Sequence, residues 1–345
     1  MYINFTMEEN KNKYISCWLL FIILLVGFMI FIGGLTRMTD SGLSITEWNL
    51  ISGILPPLNQ TKWDYVFSLY REIPEYKLIN SNMTLEEFKT IFWWEYIHRM
   101  LGRLIGLSYI LPLIYFTYKK FLKTNLILFF YFIFFLICFQ GFVGWYMVQS
   151  GLSERTDVSH IRLSVHLTLA FIILILLMWN YLNLNKSNIS NQINKLSNWT
   201  TIFFAFLVLL QISLGALVSG LDAGKIYQTW PLMDESYFPN DSEFINLLSF
   251  DFINQASLVQ FVHRNLAYLI LFLFFVIFHK ILKNKNLSYL RNAIFLVLLS
   301  LSIQMLLGVL TIISGAHIAL ASMHQVGSIF LIATSINLIV SNNKN

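Results

Sequence analysis

Eight long apolar segments restrict what this 345-residue chain can fold into. A helix of about 20 apolar residues is long enough to cross a bilayer. Only 12% of the residues are charged, whereas a soluble domain carries about 25%. The sequence therefore predicts an all-α integral membrane protein with eight transmembrane helices. The segments are 15–35, 92–117, 125–148, 160–182, 199–220, 258–281, 289–312 and 318–340.

Lysines and carboxylates occupy different loops. Loops 118–124, 183–198 and 282–288 contain lysines and no acidic residue, whereas loops 36–91 and 221–257 contain most of the carboxylates. Since lysine marks the cytoplasmic side, both termini are predicted to be cytoplasmic and the acidic loops to face outward, in the inner membrane of a bacterial cell. The net charge of +5 is small and scattered, so we expect membrane lipid around the protein and no nucleic-acid partner.

The chain also repeats its own sequence. The segment at 33–48 aligns with 215–230, QGFVG at 140–144 with QMLLG at 304–308, and SVHLTLA at 164–170 with SMHQVGS at 322–328. An even number of spans separates matching parts, so two parallel, pseudo-twofold-related four-helix bundles are predicted, covering 1–190 and 191–345. Helix bundles build cofactor sites from side chains on facing helices.

Four histidines occupy matching places in this repeat. His98 and His263 begin spans, and His166 and His324 lie one to two turns into later spans. All four are therefore predicted at similar depth near the outer face, and a haem iron takes two such imidazoles as axial ligands. A lone membrane histidine more often bonds a neighbouring helix, and zinc would need a third recurring ligand. We predict one bis-histidine haem site in each half.

Arginines lie at the outer ends of the histidine-bearing helices, where haem propionates would point. A guanidinium pairs with a carboxylate in bidentate fashion, although arginines also anchor helices at a membrane interface. The arginines are Arg99, Arg103, Arg162 and Arg264.

One acidic residue distinguishes the halves. Glu95 precedes His98 by one helical turn, whereas Gln260 stands at that place before His263. A carboxylate near a reacting centre moves protons or stabilises positive charge, and an amide does not. The difference suggests chemistry at one site and electron transfer at the other, unless Glu95 is simply an ion-pair partner of Arg99.

Six segments together resemble haem A synthase, the membrane enzyme family that converts haem O to haem A. The resemblance covers about 20–335 and is carried by GGLTRMTDSGLSITEW, EYIHRMLGR, SVHLTLA, SGLDAGKIYQTWPLM, QFVHRNLAY and MHQVGS. It implies a resident haem b held by His263 and His324, with Arg264 beside it. It also implies haem O as the substrate, with site residues His98, His166, Arg99, Arg103 and the catalytic acid Glu95.

The reaction implied by the resemblance oxidises the C8 methyl group of haem O to a formyl group through a hydroxymethyl stage, using molecular oxygen. Haem b would relay electrons from an unidentified donor, and the farnesyltransferase that makes haem O is a candidate partner. The chain resembles the branch without an outer-loop cysteine pair. Its two cysteines, Cys17 and Cys138, lie in apolar runs and are expected to be small buried hydrophobes.

Two functions of other kinds are open from the residues alone. A bis-histidine dihaem cytochrome would transfer electrons without substrate turnover, but the difference between Glu95 and Gln260 and the long outer loops argue against it. A transporter or assembly factor is the second alternative. The spans lack the paired Gly/Pro interruptions that mark a transport site, which argues against transport.

Overall fold

A computed structural model describes residues 2–49, 52–153, 155–185 and 195–343. Within these ranges the chain is helical, with no strand beyond one isolated bridge between Met233 and Ser236. The α-helices in the described ranges are α1 Tyr2–Met38, α2 Gln60–Tyr70, α3 Pro74–Leu78, α4 Leu85–Tyr118, α5 Thr124–Gln149, α6 His160–Leu184, α7 Asn198–Gly220, α8 Ala256–Lys283, α9 Arg291–Ile313 and α10 Ile318–Asn342.

Eight helices of the described chain, α1 and α4 to α10, are long and apolar enough to cross a membrane. Their most apolar windows have mean hydropathies between 1.5 and 2.9. All eight predicted spans are confirmed, and the protein is an all-α, multi-pass membrane protein. Most of the helices extend one or two residues beyond the predicted segments, but α1 begins at Tyr2 and α4 at Leu85, well before the predicted starts at 15 and 92. A helix continues into polar flanks that an apolar count leaves out.

Helix α4 begins where its sequence predicts. The Thr84 hydroxyl accepts a hydrogen bond from the Glu87 main-chain N–H at 3.3 Å, and the Glu87 carboxylate accepts one from the Thr84 N–H at 2.8 Å. This capping box satisfies two main-chain donors at the helix start. The helix is 34 residues long and continues past Pro112 to Tyr118, so one element carries both the capping box and the site residues that follow it.

The chain packs as two compact units. The first unit comprises Leu24–Ala170, and the second comprises Met1–Ile23 with Phe171–Asn345. These boundaries are set by packing, and they place one candidate histidine pair in each unit. The repeat in the sequence predicts two halves, 1–190 and 191–345, related by a pseudo-twofold axis. Both the halves and the axis stay predictions.

In the first unit, aromatic rings attach the segment between α1 and α4 to the beginning of α4. The rings of Tyr70 and Phe88, both fully buried, have centroids 5.1 Å apart. Trp63 meets Phe92 edge to face at 5.0 Å. Each such pair contributes about 0.5–1.5 kcal/mol beyond simple burial. The long acidic loop of this unit is therefore a packed element.

In the second unit, a buried amide joins the beginning of α7 to the end of α10. The side chain of Asn342 accepts from the Leu196 N–H and donates to the Leu196 oxygen, both at 3.0 Å. The rings of Phe204 on α7 and Phe274 on α8 are 6.5 Å apart and both are buried. These contacts fix the helices that carry the second histidine pair.

The prediction that both cysteines are buried was wrong. Cys17 on α1 and Cys138 on α5 are free thiols with exposed side chains. In a membrane-spanning helix an apolar side chain is as well accommodated facing lipid as facing protein. An apolar run therefore does not reveal which of its faces is covered.

Candidate functional site

Each of the four histidines rests against a glycine on another helix of its own unit. A Cβ built on that glycine would lie 2.9–3.2 Å from the imidazole Cε1, closer than ordinary van der Waals contact. Glycine is thus the residue that lets the ring approach the helix backbone. The pairs are Gly33 with His98, Gly144 with His166, Gly215 with His263, and Gly308 with His324.

The imidazoles also share an orientation. Nδ1 of each ring is buried and makes no hydrogen bond of good geometry among the described residues. The backbones of Gln211 and Gln304 come close enough to act electrostatically on the rings of His263 and His324. A hydrogen on Nδ1 would leave Nε2 as the nitrogen that binds a metal.

Within each unit the two histidines lie near each other. A charge on His166 would act on His98, and a charge on His324 would act on His263. The described residues contain no cluster of three or more His, Cys, Asp or Glu side chains arranged around one point. Paired imidazoles with glycine-cradled rings are the donor set of a bis-histidine haem, so the residues present fit that group.

Glutamines form hydrogen bonds with two of these histidines, a role that the sequence alone did not indicate. The side-chain N–H of Gln140 donates to the main-chain oxygen of His166 at 2.9 Å, and that of Gln211 donates to the oxygen of His263 at 3.0 Å. The same amide nitrogens lie 3.4 and 3.2 Å from the imidazole Nε2 atoms. Each glutamine precedes its contacting glycine by one turn, a spacing that the QGFVG and QMLLG segments display.

Arg99 and Arg264 bind the acidic loops in the same register. Nη2 of Arg99 donates to the Ile45 oxygen at 2.7 Å and Nη1 to the Glu47 oxygen at 3.0 Å. Nη2 of Arg264 donates to the Tyr227 oxygen and Nη1 to the Thr229 oxygen, both at 2.9 Å. Tyr227 and Thr229 align with Ile45 and Glu47 in the repeat. Both arginines therefore fix a loop beside a histidine. Their predicted contact with haem propionates stays a prediction.

The remaining two arginines make similar main-chain bonds. Nη2 of Arg103 donates to the Asn49 oxygen at 3.0 Å. Nη1 of Arg162 donates to the Tyr146 oxygen at 2.7 Å, and its guanidinium lies 3.7 Å from the centroid of the Tyr146 ring. Arginine stacks on aromatic faces in this way at interfaces. Both guanidinium groups thus help to fix the chain close to the first histidine pair.

Glu95 is buried and surrounded by donors. Its Oε2 accepts from the Ser44 hydroxyl at 2.7 Å and the Ile45 N–H at 2.8 Å. Its Oε1 accepts from Nη2 and Nε of Arg99 at 2.6 and 3.1 Å. The predicted alternative, an ion pair with Arg99, is therefore present, and the same carboxylate lies one turn from His98.

The matching residue in the second unit makes different hydrogen bonds. Gln260, also buried, donates to the Tyr227 oxygen at 3.0 Å, and its own Oε1 has no hydrogen-bond partner within the described ranges. The loop thus offers donors to the carboxylate in one unit and an acceptor to the amide in the other. Glu95 and Gln260 are not interchangeable without a local change in the loop.

A second buried carboxyl group lies in the loop of the first unit. Glu75 is 5% exposed and accepts from the hydroxyl of Tyr70 at 3.1 Å. Burial, with smaller contributions from the charges of Asp157, Asp40 and Glu95, raises the pKa of Glu75 to about 8. This carboxyl group is therefore protonated at neutral pH. The sequence pattern carried no sign of it.

Comparisons with known proteins identify the family of this chain. A sequence model of the family described as Cytochrome oxidase assembly protein matches residues 16–336. The protein called Heme A synthase from Pelagibacter ubique is 48% identical over 343 residues, covering 99% of this chain and all of its relative. The protein of the same name from Rickettsia bellii is 42% identical, over 96% of this chain and 97% of its relative. The one from Parvibaculum lavamentivorans is 39% identical, over 97% of this chain and 96% of its relative. The chain therefore belongs to the Cytochrome oxidase assembly protein family.

Proposed function

We propose that this protein is a haem A synthase, an oxidoreductase that converts haem O to haem A. The observation that carries the proposal is one chemical difference between two otherwise similar histidine pairs. Each pair has glycine-cradled rings and a loop-binding arginine, but Glu95 accompanies His98 where Gln260 accompanies His263. Relatives named Heme A synthase, aligned over nearly the whole chain, supply the substrate and the product.

The second unit is the proposed site of the resident haem b. His263 and His324 would ligate its iron, and such a haem supplies electrons one at a time. Gln211 fixes the main chain at His263. Nε of Arg264 is buried and lacks a hydrogen-bond partner among the described residues, although Nη1 and Nη2 bind the loop. That donor is available to a propionate, which supports Arg264 as a cofactor-binding residue.

The first unit is the proposed substrate site. His98 and His166 would ligate the iron of haem O. Nε, Nη1 and Nη2 of Arg99 already bond Glu95 and the loop carbonyls, so Arg99 shapes the site by fixing the loop at Ile45. Arg103 acts in the same way through Asn49. The proposed contribution of these two residues to substrate binding is therefore mainly indirect: they fix the loop that lies beside the site.

Glu95 is the proposed acid–base residue. Each hydroxylation of the C8 methyl group consumes dioxygen, two electrons and two protons and releases water, and a second hydroxylation gives a diol that loses water to form the formyl group. Glu95 is the carboxylate nearest in sequence to His98, and its donors fix it in one position. It can exchange a proton with the reacting group or stabilise positive charge there.

The membrane setting suits this substrate. The farnesyl tail of haem O is apolar and partitions into lipid, from which it can reach a site between transmembrane helices. We propose a bacterial inner-membrane location with both termini cytoplasmic, supported by the lysine-rich loops on one side. An unidentified electron donor and the farnesyltransferase that makes haem O are the proposed partners.

Haem analysis tests the function. The protein is produced in cells that make haem O, purified, and its haems are extracted and identified by chromatography and mass spectrometry. Haem b together with haem O, hydroxylated haem or haem A is the expected result. Two tightly held, unmodified haem b molecules would overturn the proposal and identify a dihaem electron-transfer cytochrome instead.

A further inference from the structure

The connection between α7 and α8 exposes four large apolar side chains shortly before α8 begins. Two short 3-10 helices, Phe244–Leu248 and Phe250–Asn254, form this part of the chain. The exposed fractions are 69% for Phe244, 60% for Ile245, 76% for Leu248 and 92% for Phe250. We call residues 244–250 the apolar segment. Exposed apolar surface of this kind marks a site of interaction with another protein or with a membrane.

The residues that follow attach the apolar segment to two membrane spans. Phe252 and Ile253 pack on a buried cluster formed by Leu214, Leu217 and Val259. The first two cluster residues belong to α7 and the third to α8, and both helices are long and apolar enough to cross a membrane. The second 3-10 helix therefore lies against the ends of two spans, at the edge of the bilayer.

The residues on the other side of the apolar segment are attached to α8. The ring centroid of Phe238 lies 5.9 Å from that of Phe244 and 5.0 Å from that of Phe261. The hydroxyl groups of Ser242 and Ser257 are 3.1 Å apart and share a hydrogen bond. Ser257 and Phe261 lie in the first two turns of α8. Contacts on both sides of the apolar segment therefore place it at the level where α8 begins.

The polar groups of the segment suit the boundary between lipid and water. The Asn246 N–H donates to the Glu243 oxygen at 3.0 Å, and the Ser249 N–H donates to the Asn246 oxygen at 3.3 Å. Main-chain groups that are already hydrogen-bonded lose little when they leave water. The carboxylates of Glu243 and Asp251 stand immediately before and after the segment, and residues 244–250 carry no charge. An interfacial helix likewise directs apolar side chains toward the acyl chains and polar groups toward the headgroups.

We propose that the apolar segment inserts into the lipid–water interface of the bilayer, so that the membrane surface is its partner. The spans on which its neighbours pack are surrounded by lipid, and its four exposed side chains lie at the level where α8 begins. No lysine or arginine lies between 226 and 263, so apolar contact holds the segment, and attraction to anionic lipid does not. His263 lies two residues after Phe261, so the inserted segment also sets the depth of the second histidine pair. The proposal does not depend on the reaction catalysed.

Spin labels test the position of the segment in the full chain. The two native cysteines are first replaced by Cys17→Ala and Cys138→Ala. Leu248→Cys or Phe250→Cys then carries a nitroxide in protein reconstituted into vesicles of neutral phospholipid. Accessibility to oxygen, which concentrates in lipid, and to a water-soluble nickel chelate gives the depth of the label. We expect both labels about 5–10 Å inside the boundary between headgroups and acyl chains. Glu235→Cys, an exposed position of the same connection, is the control and should report water.

Labels at 248 and 250 that meet the nickel chelate as freely as the label at 235 would overturn the proposal. Labels shielded from both oxygen and the chelate would also overturn it, because a protein surface such as a second copy of the chain would then cover the segment. A measurement on the unsubstituted protein keeps the test decisive if a variant does not fold. A lipid-soluble photoreactive diazirine in the same vesicles is expected to label residues within 244–250, and absence of label there would contradict the proposal.

Discussion

The hydroxyl of Ser44 donates to the carboxylate of Glu95 over 2.7 Å, and this bond joins the loop after α1 to the helix that carries His98. The loop supplies a second donor to the same oxygen from Ile45, while Arg99 covers the other oxygen. These donors therefore fix the position of the carboxylate. An amide at this place could still accept through its oxygen, but its N–H2 group would face the donors around the other position.

Replacing Glu95 with glutamine is expected to stop the chemistry without removing haem b. The change keeps the volume and loses both the charge and the proton-carrying capacity, and a general acid–base contribution is typically about 10²–10⁴-fold. The ratio of haem O, hydroxylated haem and haem A extracted from expressing cells measures the loss. Near-normal haem A would reduce Glu95 to a structural partner of Arg99. Glu86→Gln serves as the control, because Glu86 is an exposed carboxylate on the same helix that pairs with Lys89 at 2.6 Å, and it should leave haem A production nearly unchanged.

The two histidine pairs are expected to differ in what they hold. His263→Ala or His324→Ala should remove the stable haem b spectrum and abolish turnover. His98→Ala or His166→Ala should keep most of that spectrum while haem A production falls. Reduced-minus-oxidised spectra and haem extraction report the two properties separately. The opposite pattern would assign the substrate to the second unit.

The glycine contact in α5 can be tested within one helix. Gly144→Ala places a Cβ 3.0 Å from Cε1 of His166, so the ring must shift and substrate haem binding should fall. Gly141→Ala is the control, because a Cβ there meets nothing within 4 Å. We expect at least a tenfold weaker retention of the substrate haem in the first variant and little change in the second. Equal retention in both would mean that the cradle is not needed.

Glu75 is expected to make the first unit less stable at high pH. Its folded-state pKa, about 8, is raised above the ordinary 4.5, so the folded state binds more protons than the unfolded state between these values. The contribution of protonated Glu75 to the stability of the folded state is fully present below about pH 4.5, and it is lost as the pH rises through about 8. The glutamine of Glu75→Gln does not titrate. The difference in thermal midpoint between this variant and the wild type should therefore shift in favour of the variant by several degrees between pH 6 and pH 9.

The control for this titration is Glu72→Gln. Glu72 is exposed and pairs with Lys77 at 3.1 Å in the same loop, so its removal should shift the midpoint little and equally at both pH values. Thermal unfolding of the purified protein in detergent measures both variants. A wild type whose midpoint follows that of Glu75→Gln across the pH range would show that Glu75 does not titrate there.

The orientation in the membrane is open to a reporter test. A reporter fused after Asn286 should be active only as a cytoplasmic marker, and one inserted within 236–246 only as an extracytoplasmic marker. The basis is the separation of lysines from carboxylates between the two sets of loops. Exchanged activities would put the histidine sites near the cytoplasmic face.

Much of this architecture was determined by the sequence alone. Spans of about 20 apolar residues predict helices wherever they occur, because unpaired main-chain groups are too costly in lipid, and all eight were found. The repeat alignment also predicted a real correspondence, since Arg99 and Arg264 bond the matching loop residues Ile45 and Tyr227. The histidines and Glu95 could be selected because ionisable residues are rare in membrane spans.

Only the tertiary structure decided which faces meet. Hydropathy sums over all sides of a helix, so it placed Cys17 inside the protein although the side chain is exposed. The contact of Gln211 with His263 depends on the rotation of α7 against α8, which brings the residue one turn before Gly215 beside the histidine. The Ser44–Glu95 bond joins residues that are far apart in sequence. Such contacts are set by packing and carry no periodic signal along the chain.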